Sequence, residues 1–439
     1  MIERCAQALA TAFWLCALTA CAAPQAFAHS PDVALTRIAQ VATVVRSPTP
    51  TVTPTPLPSA VNLWFPALFA YESELFTARH FSELVQDYTR QTGQLVTVRL
   101  RRAEGLGGIF ETLSSAAQVA PSVLPDLVLL RARDLPRAAA ARLIVPLSSN
   151  TVQEDAYFAA ALALARHEGE LYGIPYLLEL QHAVYGGDEL PPLTWQSVIS
   201  RQLTYLFPAK VTRGVNGTLL SHYITLGGKL SDQNGEPSLD YEPLLSLMDL
   251  YRTAYTAGSL SDDVLNYAEP TQYWLAFTAS KNILAQVDST FFLRQHASSN
   301  ATTLTAWQFS PLPRIAEGKP PLSLVDGWLW AFTTTNPERQ QRALALLEWL
   351  QEPTRYALFS QRVSMLPARR AALNAWSEAD YAAFAAELLD RRVSPLPDLV
   401  NSAVAEALQE SFTRLLRDGL SSEEAANLAI DRVRAGRER

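Results

Sequence analysis

Two carboxylate pairs in this sequence could share acid–base chemistry: Glu72 with Glu74, and Glu179 with Asp326. Such a pair cleaves a glycosidic bond when its carboxyls face each other across a cleft, about 5–9.5 Å apart. Neither pair sits in a motif. His167-Glu168-Gly169-Glu170 lacks the second histidine at helical spacing that a zinc protease needs. His80, His182, His222 and His296 are scattered, without metal-ligand spacing. The loop Gly105-Leu106-Gly107-Gly108 has neither the Lys-Ser/Thr of a P-loop nor full dinucleotide spacing, and reads as a flexible helix start. There is no Gly-x-Ser-x-Gly elbow. The expectation is no catalyst, no metal and no cofactor.

The three cysteines, Cys5, Cys16 and Cys21, all precede residue 22. Arg4 followed by the largely apolar run from Ala6 to Ala20 reads as a secretion signal, too short to span a bilayer comfortably. Leu18-Thr19-Ala20-Cys21 resembles a bacterial lipobox, so residues 1–21 are read as a signal peptide and Cys21 as the lipidated residue. Cleavage after Ala26-Phe27-Ala28 is the alternative. A cut before Cys21 leaves no other cysteine, and so none for a disulfide or a catalytic thiolate. Residues 22–59 are rich in Pro and Thr, above all from Ser47 to Pro58. Alternating proline makes an extended spacer of about 3.1 Å per residue, a stalk between anchor and domain.

At 439 residues the chain has room for two to three domains, and 48% hydrophobic with 9% aromatic content supplies a sizeable core. Net charge −7 with no long Lys/Arg run argues against nucleic acid as a partner. From residue 61 the pattern alternates. Val61 to Phe65 reads as a strand ended by Pro66; Leu75 to Thr92 has helical spacing closed by Gly93; Leu95 to Leu100 alternates as a strand. A helix from Ile109 to Val119 follows, then Leu127 to Leu130, apolar throughout as in a strand buried on both faces. Strand–helix–strand repeats imply right-handed crossovers and a parallel α/β sheet.

Several ordered segments carry a specific resemblance: Thr92-Gly93-Gln94-Leu95-Val96-Thr97-Val98, Pro125-Asp126-Leu127-Val128-Leu129, Leu143-Ile144-Val145-Pro146-Leu147, Tyr172-Gly173-Ile174-Pro175-Tyr176 and Asp326-Gly327-Trp328. So do Leu226-Gly227-Gly228-Lys229, Asn234 to Asp240, Leu366-Pro367-Ala368-Arg369 and Gly419 to Ala425. In this order the chain resembles the extracellular solute-binding proteins of ABC transporters, of maltose- and oligosaccharide-binding type. It departs from them at Tyr185-Gly186-Gly187-Asp188, where the family carries a Tyr-Asn-Lys-Asp segment, and at Asp326-Gly327, where it often has Gly-Gly.

The resemblance implies a two-lobe periplasmic-binding-protein-like α/β fold (type II), each lobe a sheet flanked by helices, with the ligand cleft between lobes. It divides the chain into residues 60–174 and 326–365 for lobe 1, and 175–325 and 366–439 for lobe 2. Strands crossing near 174–176, 325 and 365 would be the hinges, with Gly173 and Pro175 taking up the bend. Aromatic faces cover the C–H faces of sugar rings and polar groups satisfy hydroxyls. The expected ligand residues are therefore Trp64, Phe65, Tyr176, Glu179, Gln181, Ser289, Phe291, Asp326, Trp328 and Trp330. Trp274, Trp307, Trp349 and Trp376 are expected in the core. Arg99, Arg101, Arg102, Arg369 and Arg370 could serve an anionic ligand, or form a solvated face.

The implied protein is a monomeric lipoprotein outside the cell membrane, handing a small solute, a carbohydrate, to an ABC permease. The alternatives are a secreted glycoside hydrolase, or a binding protein that reports to a sensor.

Overall fold

The first apolar run forms strand β1, Val61–Pro66, and the helix Phe76–Thr92 follows it. That helix ends where Gly93 takes a φ of 74° and its N–H caps Thr89 O, the left-handed turn that glycine adopts without a Cβ penalty. Strand β2, Val96–Arg101, pairs parallel with β1. After the helix Ile109–Val119, strand β3, Leu127–Arg131, pairs parallel with β1 on its other side. Leu127 to Leu130 are fully buried, as a continuous apolar run requires.

The structure is a computed structural model that describes residues 59–71, 76–148, 150–187, 189–211, 216–298, 307–319, 324–390, 394–395 and 403–437. Cys21 with its lipobox, almost all of the Pro/Thr-rich stretch, Glu72, Glu74 and Asp188 lie outside the described residues. No helix among the described residues is long and apolar enough to cross a membrane.

The spine of the fold is β4, Ile174–Tyr185, a 12-residue strand about 40 Å long at ~3.4 Å per residue. Beyond it come β5 (Thr204–Leu206), β6 (Ile283–Asp288), β7 (Gln308–Ser310), β8 (Leu324–Phe332), β9 (Leu366–Pro367) and β10 (Ser394–Pro395). The sheet runs β2-β1-β3-β8-β4-β6-β5, with β7 and β9 also on β4 and β10 on β8. From Ile174 to Leu180, β4 pairs antiparallel with β8; from Gln181 to Tyr185 it pairs antiparallel with β6. β9 joins it at Leu177 and Leu178. The three segments expected to cross between lobes therefore lie side by side.

Two cores flank this sheet. The larger holds β1, β3 and β8, then continues along β4 and β6 through Val184, Ala285 and Phe292. The smaller covers Ala183, Tyr185, Leu284 and Tyr205, under helices that contribute Trp195, Leu219, Leu247, Tyr251, Phe412 and Ala426. Successive strand residues point to opposite faces, so one strand serves both cores. Residues from Leu366 to Leu389, grouped with the second lobe on sequence, pack into the larger core. The C-terminal helices Ala403–Arg417 and Ser422–Arg437 pack into the smaller one.

Candidate ligand-binding site

A polar strip crosses the sheet where β4 exchanges β8 for β6. The register sets Asp326 opposite Glu179, Trp328 opposite Arg131, Gln181 opposite Asp288 and Ala183 opposite Gln286. The period of two along each strand turns these side chains to one face. Arg131 ends β3 and Asp288 ends β6. Ligands of open α/β sheets sit in the crevice at the carboxyl ends of strands.

The strip is tightly bonded. Arg131 donates through Nη2 and Nε to Asp326 Oδ2, at 2.9 and 3.0 Å, and the Gly327 N–H donates to Asp326 Oδ1 at 2.8 Å. The Arg131 guanidinium lies 5.4 Å from the Trp328 ring centre. Thr290 Oγ1 donates to Glu179 Oε2 at 3.1 Å. Gln286 Nε2 donates to both Gln181 Oε1 and Thr218 Oγ1 at 2.8 Å, and Tyr205 donates to Gln286 Oε1 at 3.2 Å. Asp288 Oδ1 accepts from the Phe291 N–H at 2.6 Å.

Charge is unevenly matched here. Burial first, and the Asp288 carboxylate next, push the Glu179 carboxyl from 4.5 up to about 7, against the pull of Arg131. Burial also raises Asp288. Arg131 loses solvation by burial, yet Asp326 and Glu179 outweigh that and hold its pKa above the ordinary value.

A profile of the family described as bacterial extracellular solute-binding protein matches residues 83–386. The chain belongs to this family. No curated protein matches the chain. Among solved structures it is similar to the sugar-binding protein MalE from the phytopathogen Xanthomonas citri, at TM-score 0.66 and 19% identity, over 87% of this chain and 98% of that one. A cyclo/maltodextrin-binding protein complexed with maltotetraose superposes at TM-score 0.65 and 16% identity, over 86% and 97% of the two chains. An ABC transporter solute-binding protein from Agrobacterium radiobacter K84, in complex with ribitol, gives 0.60 and 16%, over 88% and 100%. At these identities the likeness carries the fold, a mixed α/β architecture of two-lobe periplasmic-binding-protein type.

Within this solute-binding protein the residues expected to hold ligand divide sharply. Glu179, Gln181, Asp326 and Trp328 come together in the strip, where Trp328 is 3% exposed and meets Phe69 edge-on at 5.1 Å. Ser289 stands behind it, its Oγ accepting from the Leu180 N–H at 3.0 Å. Phe65, Tyr176 and Trp330 are fully buried and already packed on protein: Phe65 stacks on Phe81 at 3.9 Å and on Trp330 at 6.0 Å, Tyr176 stacks on Tyr356 at 5.0 Å, and the Tyr176 ring lies tilted against Trp330 at 5.6 Å. Trp64 is 2% exposed beneath the Arg101 guanidinium. Phe291 meets Trp274 edge-on at 5.1 Å, and Trp307 completes that cluster.

Sequence reasoning missed Arg131, Thr218, Gln286 and Asp288. Arg131 and Asp288 each follow an unbroken buried run, Leu127 to Leu130 and Ile283 to Val287, and a charge closing such a run marks a strand end at a crevice.

The Glu179 environment sets a pH dependence. The folded state holds the Glu179 proton up to about pH 7, whereas an ordinary glutamate loses it near 4.5. Between those values this group binds more protons in the folded protein than in the unfolded chain, so its contribution to stability falls as pH rises. Buried His182 and His222, held below their ordinary value by desolvation, act in the opposite sense over much of this range, so the Glu179 contribution should appear as a difference: from pH 4.5 to 7.5 the urea midpoint of the wild type should fall relative to that of Glu179→Gln. Parallel profiles for the two proteins would remove that contribution.

Proposed function

We propose that this solute-binding protein captures a hydroxyl-rich small solute, a carbohydrate or polyol, on the strip formed by Arg131, Glu179, Gln181, Asp288, Asp326 and Trp328, and releases it unchanged to an ABC importer. One observation carries the reading: carboxylate and amide oxygens and the Trp328 ring share one face at the strand exchange of β4. Sugar hydroxyls donate to carboxylates in charge-assisted bonds, and a tryptophan beside them covers the apolar face of the ring. The maltotetraose and ribitol complexes of proteins with the same fold support this solute class. Rotation of one lobe against the other about β4, β8 and β9 would bury the solute and form the surface that the permease reads. The protein works as a monomer outside the cell membrane, held there by a lipid on Cys21 behind the Pro/Thr-rich stalk.

A second reading draws on Glu179. A carboxyl kept protonated near neutral pH is what a glycosidase acid requires. Asp326, its opposite number, is bound by both Arg131 and the Gly327 N–H, which leaves it poorly placed as nucleophile or base.

Thermal shift with maltose, maltotetraose and ribitol tests both. A bound solute at a hundred times its Kd adds about 2.7 kcal/mol of stability. Glu179→Gln should weaken binding roughly two- to tenfold, the loss of about 0.5–1.5 kcal/mol expected for a hydrogen bond between neutral groups. Recovery of the solute intact supports capture; its cleavage supports the glycosidase. If no sugar or polyol stabilises the protein, the proposed solute class is wrong.

A further inference from the structure

A cavity of about 300 Å³ lies beside the start of β4, and none of Arg131, Glu179, Gln181, Asp326 or Trp328 lines it. Its volume is at the lower end of small-molecule sites. Ile174, Leu344 and Leu347 give it an apolar wall; Tyr157, Gln351 and Arg369 give it a polar one. The polar wall is built, not incidental. Tyr157 pairs with Arg369 in an isolated β-bridge. The Tyr157 hydroxyl donates to Gln351 Oε1 at 2.5 Å, and Gln351 Nε2 donates to Pro175 O at 3.3 Å.

Arg369 is the chemically telling residue. Its Nη1 donates to the Gln351 carbonyl at 3.2 Å and its guanidinium lies 5.6 Å from the Tyr157 ring centre. Among the described residues no carboxylate pairs with it, whereas the next residue, Arg370, pairs with Asp390 at 2.5 Å. A guanidinium carries five donors in a planar fork that matches a carboxylate. The hydroxyl of Thr151 and the amides of Asn150 and Gln153 supply partners for hydroxyls. The exposed Glu348 at the edge opposes a second negative charge on the occupant.

We propose that this cavity is a second binding site, for a small hydroxylated monocarboxylate of the sugar-acid class, with the carboxylate on Arg369. The proposal does not depend on which solute fills the strip.

Calorimetric titration with D-gluconate tests it on the wild type and on Arg369→Gln, Asn150→Trp and Glu179→Gln. Asn150 is exposed, so tryptophan there narrows the cavity without entering the core and serves if Arg369→Gln fails to fold. Gluconate should bind the wild type and Glu179→Gln alike, and about tenfold or more weakly to the two cavity variants. The proposal is overturned if the wild type takes no gluconate, or if both cavity variants bind it as well as the wild type does. Loss in Glu179→Gln alone, or Arg369-dependent binding of inorganic phosphate in place of gluconate, would also overturn it.

Discussion

Replacing Asp326 with alanine is expected to cost about 3–5 kcal/mol of stability, the usual loss when one partner of a buried ion pair is removed. The Asp326 side chain is 7% exposed and that of Arg131 19%, with 2.9 Å between them. Truncation leaves the guanidinium in the interior without its counter-charge and deprives the Gly327 N–H of its acceptor. Glu179 also acts on Arg131 and can assume part of that role, which places the loss toward the lower end. Taking up the role would ionise Glu179, so the stability difference that Glu179→Gln exposes between pH 4.5 and 7.5 should shrink in the same variant. Arg131→Met with Asp326→Leu should recover most of the stability, because an apolar pair of similar volume carries no desolvation cost. Denaturant midpoints at pH 7 measure all three proteins. A loss below about 1 kcal/mol for Asp326→Ala would put the pair in the surface class and contradict its burial.

Gly327→Ala should cost about 3 kcal/mol, the upper end of the overpacking range, and should impair solute binding as well. Gly327 lies on β8 opposite Leu178, between Asp326 and Trp328. A Cβ there would come 2.4 Å from the Leu177 carbonyl oxygen and 3.1 Å from Leu178 Cδ2. The nearest of these atoms is backbone, so relief requires β8 to move away from β4, carrying Asp326 and Trp328 away from Glu179. Gly173 is the control. Its Cβ would meet only the Leu329 side chain, Cδ1 at 2.5 Å and Cβ and Cγ at 3.2 Å, with no backbone atom among the three nearest, so Gly173→Ala should cost less and spare binding. Equal losses for the two variants would show that β4 and β8 are not held at this spacing.

The position before Gly327 accommodates a side chain, and Asp326 uses it to reach Arg131.

Local signals made much of the framework legible. Apolar runs of strand length placed β1 and β3, and alternation placed β2, each to within a residue or two, while helical spacing closed by Gly93 placed the helix Phe76–Thr92. These signals act within a few residues of the chain, so they survive in the sequence itself. The ordered motifs from Thr92 to Ala425 identified the fold for the same reason.

The site was only partly legible. Glu179, Gln181, Asp326 and Trp328 belong to the strip, whereas Phe65, Tyr176 and Trp330 spend their ring faces on Phe81, Tyr356 and one another. A flat ring lowers its free energy against a sugar or against a neighbouring ring by the same removal of apolar surface from water. Its residue type therefore cannot say which of the two it meets. Arg131 and Asp326 find each other across 195 positions, a contact that exists only once β3 and β8 pair. The sequence by itself determined that α/β strands and helices form from residue 61 onward and in what order. The tertiary structure alone decided which buried charges share a face and which aromatics are already occupied, because both depend on strand register, which joins residues far apart in the chain.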